Sequence, residues 1–210
     1  YLVPGKQHFK AQDSKVEGDW SQAAFWTVGG ALGAGITASG VDFASLQGDK
    51  AVVEIMQRMG ADIAKTDDSV TVNSSATQAT VIDASNCPDI IPVLTVLAAV
   101  SEGTTKVINA GRLRIKECDR LAAMTSELNK MGAAITEEAE GLTITGKPEG
   151  LRGGVVVDAW NDHRIAMSLA IAAQCCAEPI ILTGAGSVSK SYPDFWQDYQ
   201  SVGGKIEVLA

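Results

Sequence analysis

The chain has 210 residues, with 17 Lys and Arg against 25 Asp and Glu, which gives a formal net charge of −8. Hydrophobic residues make up 46% and charged residues 20%, a balance typical of a globular protein and not of a disordered one. An acidic chain lacks the basic face that an extended nucleic-acid surface needs. We therefore expect no nucleic-acid partner, and any anionic ligand has to be bound by a local cluster of cations.

Neither a membrane nor a metal is indicated by the sequence. The longest uncharged apolar run, Ile90 to Val100, is shorter than the roughly 18 residues of a membrane span, and no basic and apolar leader opens the chain. The four cysteines form no CxxC pair and there are only two histidines, so we expect reduced thiols and no metal site. These features predict a soluble protein of the cytoplasm.

The first residues, Tyr1-Leu-Val, predict a strand. We interpret residues 1–13 as a strand and linker that belong with a missing N-terminal domain, and residues 14–210 as one C-terminal domain. No Pro, Gly and Ser-rich linker divides the second range, which favours a single shared core.

A repeat of about seventy residues organises this domain. Three aspartates at that spacing each precede an apolar helical stretch, and three glycines at the same spacing each follow a second helix. The aspartates are Asp19, Asp89 and Asp162, and the glycines are Gly60, Gly132 and Gly203. The repeats are predicted at about 14–84, 85–155 and 156–210, and the fold class is α/β.

Each repeat is predicted to contain an apolar helix, a short strand, a polar loop, a second helix and a strand pair. The predicted apolar helices are Trp20–Leu32, Ile90–Val100 and His163–Ala173, and the strands that follow them are Gly35–Ser39, Thr104–Ala110 and Pro179–Thr183. Predicted hairpins pair Ala61–Ala64 with Val70–Asn73 and Ala134–Glu137 with Leu142–Thr145, and Lys205–Leu209 is predicted as a single strand. In the second helix of the middle repeat, Leu121, Met124, Leu128 and Met131 form a stripe that predicts core packing.

The three aspartates suit the N-cap position, where a carboxylate accepts the free N–H groups of the first helical turn. If the repeats are related by a threefold pseudo-symmetry, the three helix N-termini converge on one face and their dipoles make it positive. We expect that face to favour a phosphate or a carboxylate.

Cations occur in the matching loops. They are Arg112, Arg114, Lys116 and Arg120 in the second repeat, and Arg164 and Lys190 in the third. The cations around Arg120 lie at the start of a helix, where the helix dipole repels positive charge. Bound anions would offset this repulsion. The alternative is a solvated helix start in which Glu117 and Asp119 face the dipole and Arg120 pairs with one of them.

Two runs carry more specific patterns: Lys116-Glu-Cys-Asp-Arg-Leu121 has the form KE-x-DR, and Asn161-Asp-His-Arg-Ile-Ala-Met167 has the form NDHR-x-AM. Four further segments agree in order and spacing: Val16-Glu-Gly-Asp19 with Ser21, Gln47-Gly-Asp49, Pro88-Asp89, and Lys190 before Pro193-Asp-Phe195. Over nearly the whole chain, these segments resemble the C-terminal half of the 5-enolpyruvylshikimate-3-phosphate synthases.

The resemblance implies one domain of a two-domain enolpyruvyl transferase fold, in which each domain has three βαβαββ units around buried helices. The implied reaction uses no cofactor. It transfers the enolpyruvyl group of phosphoenolpyruvate to the 5-hydroxyl of shikimate 3-phosphate and releases phosphate, in aromatic amino-acid biosynthesis. The partners implied are these two substrates and the missing N-terminal domain, without which we expect this chain to be inactive.

The resemblance also implies residue roles. Asp89 would be the base at the 5-hydroxyl, and Glu117 would deliver and later remove the methylene proton. Lys116 would also be catalytic, since it would contact both shikimate 3-phosphate and the charge that develops in the reaction. Arg112 would contact shikimate 3-phosphate, at a position where the family often has Asn. Arg120 and Arg164 would bind phosphoenolpyruvate, whose anionic groups suit a bidentate guanidinium, and Lys190 would neutralise the leaving phosphate. Asp162 is interpreted as an orienter of Arg164, and Cys118 as inert.

Two other functions stay open at this point. A related enolpyruvyl transferase acts on UDP-N-acetylglucosamine, although the KE-x-DR and NDHR patterns argue against it. A non-catalytic α/β-repeat interaction module is the second, and one that encircles DNA would need basic concave helices.

Overall fold

The computed structural model describes residues 1–209, which fold into helices and strands of mixed α/β type. The α-helices of these residues are α1 (Trp20–Leu32), α2 (Ala51–Arg58), α3 (Ile91–Ala99), α4 (Arg120–Lys130), α5 (His163–Ala172) and α6 (Phe195–Ser201). The strands are β1 (Ile36–Ser39), β2 (Asp62–Lys65), β3 (Ser69–Asn73), β4 (Val81–Asp83), β5 (Thr104–Ile108), β6 (Ala134–Glu138), β7 (Gly141–Thr145), β8 (Val156–Asp158) and β9 (Ile181–Thr183).

The middle of the chain holds one complete βαβαββ unit, formed by β4, α3, β5, α4, β6 and β7. Its sheet has the order β4-β5-β7-β6, with β4 parallel to β5 and the other pairs antiparallel. The α3 crossover joins the two parallel strands, as a parallel pair requires. Because α3 begins just beyond the end of β4, its first turn lies at the carboxyl edge of that parallel pair.

The flanking sheets are smaller versions of the same arrangement. The first sheet has the order β1-β3-β2 and is antiparallel, and the third consists of β8 parallel to β9. The β2–β3 and β6–β7 hairpins confirm the two predicted strand pairs. Strand β4 lies within the first predicted repeat, yet it pairs with β5 of the second sheet.

Three apolar helices form the centre of the molecule and confirm the predicted buried helices. Every residue of α3 and of α5 is buried, as are most residues of α1. These helices are apolar on all sides, so the sheets and the neighbouring helices can cover them completely. Among the described residues, no helix has both the length and the hydropathy required to cross a membrane.

The second helices are amphipathic and cover this centre. The predicted stripe of Leu121, Met124 and Leu128 on α4, with Met131 directly after the helix, is buried, which confirms its role in core packing. Left-handed glycines follow α2, α4 and α6, as predicted, because this conformation ends a helix without a Cβ clash. They are Gly60, Gly132 and Gly203, with φ of 87°, 106° and 98°.

Two predicted strands are wrong. Residues 1–3 and 205–209 have no regular secondary structure and are largely exposed. Their sequences are apolar enough for strands, but a strand persists only where a neighbour accepts its backbone hydrogen bonds. Within the described residues, neither segment has such a neighbour.

Candidate active site

The N-termini of the three central helices meet on one face, as the repeat predicts. Asp19 caps α1 by accepting from the Ser21 amide at 2.8 Å, and Asp162 caps α5 by accepting from the Arg164 amide at 2.8 Å. The Arg164 side chain then connects the helices: Nη2 donates to Ser21 Oγ at 3.0 Å and Nη1 to the Asp89 carbonyl at 3.4 Å. Three positive helix ends therefore share one surface.

Asp89 does not cap α3, so its predicted cap role is wrong. It lies in the 3₁₀ turn Pro88–Ile90, so that α3 begins at Ile91, one residue later than predicted, with Ile90 at its N-cap. Its carboxylate faces three cations instead: Lys116 Nζ at 3.1 Å, Arg120 Nη1 at 2.8 Å and Arg164 Nη2 at 3.6 Å. Burial alone would raise the pKa of Asp89. The charges of Arg164, Lys116 and Arg120 together outweigh burial, so the pKa lies below the usual range.

Arg120, the first residue of α4, is 1% exposed and lies between three carboxylates. Its Nε donates to Asp162 Oδ2 at 2.7 Å, and Nη2 donates to Glu117 Oε2 at 2.6 Å. With the contact to Asp89, the guanidinium is bound on all three nitrogens. Burial opposes its charge, but the hydrogen bond and the charge of Asp162, then Glu117 and Asp89, hold the pKa of Arg120 above its usual value.

We call Asp89, Lys116, Glu117, Arg120, Asp162 and Arg164 the ion-pair cluster. Asp162 is fully buried, and although burial raises its pKa, the hydrogen bond and charge of Arg120 hold it below the usual range. The predicted role of this carboxylate needs correction. Asp162 caps α5 at the Arg164 amide, whereas the side chain that it orients is that of Arg120.

The charged run before α4 has the carboxylate contacts that the solvated alternative predicts, although Arg120 itself is buried. Asp119 caps α4 through the amides of Leu121 and Ala122, both at 3.1 Å, and Arg120 pairs with Glu117, as the solvated alternative predicts. Arg114 points away from the ion-pair cluster and binds Asp119 at 2.8 Å, as well as Glu137. The cations at this helix start are thus neutralised by carboxylates from the protein itself.

Lys190 and Arg112 are placed differently. Lys190 Nζ donates to the carbonyl and the side-chain oxygen of Asn161, at 2.5 and 2.7 Å, directly before the start of α5. It therefore lies at the same helix end as Asp162. Arg112 is exposed and, among the described residues, forms none of the ion pairs of the cluster. It lines an open depression of about 520 Å³ with Asn109, Ile115 and Glu140, at the carboxyl edge of β4 and β5.

Two titratable side chains near Glu117 are shifted toward their neutral forms. His163 Nδ1 lies 3.9 Å from Glu117 Oε1, and burial, followed by the charge of Arg164, lowers the pKa of this imidazole. The Cys118 thiol lies 3.6 Å from Asp162 Oδ2, and burial with that charge raises its pKa to about 12. A thiol with so high a pKa is a poor nucleophile, in agreement with the predicted inertness of Cys118.

Sequence reasoning missed Asp49 and the contact of Ser21 with Arg164. Burial, and then the charge of Asp89, raises the pKa of Asp49 to about 6, and its Oδ1 is buried without a hydrogen bond. Gly48 allows this placement, because a Cβ there would lie 2.1 Å from the Asn86 carbonyl oxygen. Asp49 and Ser21 both lie in segments that matched the family pattern, and that match is the sequence signal that could have identified them.

Solved structures identify the fold as that of the enolpyruvyl transferases. The EPSP synthase from Acinetobacter baumannii superposes with a TM-score of 0.85 at 30% identity over 93% of this chain and 48% of that chain. The enolpyruvyl transferase NikO from Streptomyces tendae, at 21% identity, shares the fold with a TM-score of 0.72, over 91% of this chain and 44% of that chain.

The sequence comparisons assign the family. The model for EPSP synthase (3-phosphoshikimate 1-carboxyvinyltransferase) matches residues 1–199, and the chain belongs to this family. The 3-phosphoshikimate 1-carboxyvinyltransferases of Clostridium kluyveri and Clostridium novyi are each 53% identical over 207 residues, which is 99% of this chain and 48% and 47% of those proteins. The chain therefore spans about half the length of the curated relatives it matches.

Proposed function

We propose that this chain forms one wall of the active site of an enzyme that transfers the enolpyruvyl group of phosphoenolpyruvate to the 5-hydroxyl of shikimate 3-phosphate. The observation that carries the proposal is the contact of Lys116, Arg120 and Arg164 with the single carboxylate of Asp89, at the meeting point of three helix N-termini. Cations together with positive helix ends on one surface favour the binding of a phosphate or a carboxylate. In a cell, such a biosynthetic enzyme would work in the cytoplasm.

The cations divide between the two substrates. Arg120 and Arg164 bind the carboxylate and phosphate of phosphoenolpyruvate, since a guanidinium forms paired hydrogen bonds with either group. Lys190, at the start of α5, neutralises the phosphate as it leaves. Lys116 binds shikimate 3-phosphate, and Arg112 contacts the same substrate from the depression beside β4 and β5.

Two carboxylates transfer protons. Glu117 protonates the methylene carbon of phosphoenolpyruvate, which makes the adjacent carbon electrophilic. The 5-hydroxyl attacks that carbon while Asp89, ionised because three cations depress its pKa, accepts the hydroxyl proton. The C–O bond to phosphate then breaks, and the departing phosphate takes up the proton that Asp89 had accepted. Glu117 removes a proton from the methyl group, which restores the double bond and the protonated state of Glu117.

The charge balance of the cluster requires a second wall. Lys116, Arg120 and Arg164 carry three positive charges within contact distance of the carboxylates of Asp89 and Asp162 and of Glu117, which becomes a carboxylate once it has given its proton to phosphoenolpyruvate. Lys190 and the helix ends add only a small excess for two phosphorylated acids. The missing positive charge has to come from the other half of the full-length relatives, so that this chain alone turns over no substrate.

A complementation assay tests the proposal. The chain is mixed with the half of the Clostridium kluyveri relative that it does not match, and phosphate release is measured with phosphoenolpyruvate and shikimate 3-phosphate. We expect release from the mixture only, and inhibition by glyphosate, a phosphonate mimic of phosphoenolpyruvate. Release with UDP-N-acetylglucosamine in place of shikimate 3-phosphate would instead support the other transferase, and a mixture inactive with both acceptors would contradict the proposal.

A further inference from the structure

Glu127 is a buried carboxylate that none of the proposed catalytic roles uses. It lies in α4, two turns after Arg120, and is 1% exposed. Its Oε1 accepts from the Trp160 indole at 3.0 Å and its Oε2 from the Asp158 amide at 3.0 Å. Lys130 donates to both oxygens, at 2.8 and 2.7 Å. Burial raises the pKa of Glu127, but the bonds from Lys130, Trp160 and Asp158 hold it below the usual range.

The segment that Glu127 binds has a strained backbone. Trp160 and Asn161 are consecutive non-glycine residues with φ of 52° and 53°, in the left-handed region. Such residues cost of order 1–3 kcal/mol each and persist only where the surroundings fix them. Asp158 helps from within the segment, since its Oδ1 accepts from the Trp160 amide at 2.6 Å and its Oδ2 from Thr183 Oγ1 at 2.6 Å.

The strained segment leads directly into the site. Asn161 holds Lys190, and the next three residues are Asp162, His163 and Arg164. Helix α4 therefore contacts this segment at two points: Arg120 binds Asp162 at the start of the helix, and Glu127 binds Asp158 and Trp160 two turns later. The two contacts therefore lie at the two ends of residues 158–162.

We propose that Glu127 is a positioning residue that fixes the strained segment Asp158–Asn161 and, through it, the placement of Asp162, Arg164 and Lys190. The inference rests on the proposed function only where Arg164 and Lys190 are assigned to phosphoenolpyruvate. Pairing with Lys130 does not explain the burial of Glu127, because the Lys130 side chain is 46% exposed and could pair at the surface.

Glu127→Gln tests the proposal in the whole chain. The amide keeps the size of the side chain, but its NH₂ group must face either the Asp158 amide or the Trp160 indole, and both are donors. We expect hydrogen exchange of the backbone amides of 158–164 to accelerate by about 10- to 100-fold, with the α3 amides unchanged. Trp160→Phe removes only the indole donor and should give the same pattern, with a double variant that is less than additive.

Ser126→Ala is the matched control, since it removes the 3.1 Å hydrogen bond from the Ser126 hydroxyl to Glu127 Oε1 and leaves Lys130 and both bonds to the segment. In the complementation assay, Glu127→Gln should raise the KM for phosphoenolpyruvate by about 10- to 100-fold, whereas Ser126→Ala should not. Unchanged exchange at 158–164 in both Glu127→Gln and Trp160→Phe, or equal acceleration across α3, would overturn the positioning role. If the unaltered mixture shows no activity, the proposed function fails, and the exchange data still decide the role of Glu127.

Discussion

Replacing Asp162 by asparagine measures how strongly the ion-pair cluster stabilises the central helices. The carboxylate of Asp162 is fully buried and binds Arg120 through Nε at 2.7 Å and Nη2 at 3.3 Å. Asparagine retains an oxygen that can accept from the Arg164 amide, so the α5 cap survives. The substitution therefore removes mainly the charge that faces Arg120.

Removing one partner of a buried ion pair costs about 3–5 kcal/mol, because the other charge stays buried without compensation. Arg120 keeps Asp89 and Glu117, whose side chains are 28% and 40% exposed, so we expect the lower end, about 3 kcal/mol. For a chain of this length, that loss corresponds to a decrease in Tm of about 6–12 °C. Urea unfolding followed by tryptophan fluorescence measures the free energy of unfolding directly.

The effect should also depend on pH. The pKa of Asp162 is lowered in the folded chain, so its contribution is present above the unfolded carboxyl pKa of about 3.9 and is lost as the pH falls through the folded value. The difference between parent and variant should therefore be constant near neutral pH and narrow below about pH 4. Asp67→Asn, at an exposed position, gives the same change of charge as a control. A loss below about 1 kcal/mol for Asp162→Asn would refute a stabilising buried pair.

Three further substitutions test other parts of the account. Asp49→Asn should flatten the pH dependence of the free energy of unfolding. Because the pKa of Asp49 is raised to about 6, the parent loses roughly 2–3 kcal/mol of stability as the pH rises from about 4 to above 6. Equal slopes in parent and variant would contradict this expectation. Gly48→Ala should lower the free energy of unfolding in urea by about 1–3 kcal/mol, because the added Cβ meets the Asn86 carbonyl. Gly186→Ala is the control, since its Cβ would have nothing within 4 Å. Equal effects of the two substitutions would show that the close approach at Gly48 is unimportant. Phe195→Ala removes a fully buried ring 5.4 Å from Trp26 and should lower the free energy of unfolding by about 3–5 kcal/mol, and a loss below about 1 kcal/mol would mean that α6 contributes little to the core.

The sequence was most informative where local signals agree with the tertiary structure. The helix predicted at Trp20–Leu32 has those bounds in the structure, because an apolar stretch lies between the Asp19 cap and Gly33. The hairpins followed from alternating residues on either side of short polar turns. The short motifs also selected residues that the fold brings together, since Lys116, Arg120 and Arg164 all contact Asp89.

The rest depended on contacts between distant parts of the chain. The repeat predicted Asp89 as a cap, but cations 27 and more residues further along draw its carboxylate away from the helix start. Asp162 is the carboxylate that fixes the Arg120 side chain, but the two residues are 42 positions apart and no local pattern indicates the pairing. The raised pKa of Asp49 has the same origin, because it arises from burial and from Asp89.

Titration of the isotope-labelled chain with phosphoenolpyruvate, followed by NMR, tests the central claim most directly. We expect saturable shifts confined to the side chains of Arg120, Arg164 and Lys190 and to the backbone amides at the starts of α1, α3 and α5. Addition of shikimate 3-phosphate should extend them to Lys116. The claim would be contradicted if phosphoenolpyruvate produced no saturable shifts, or if the shifts mapped to another face of the molecule.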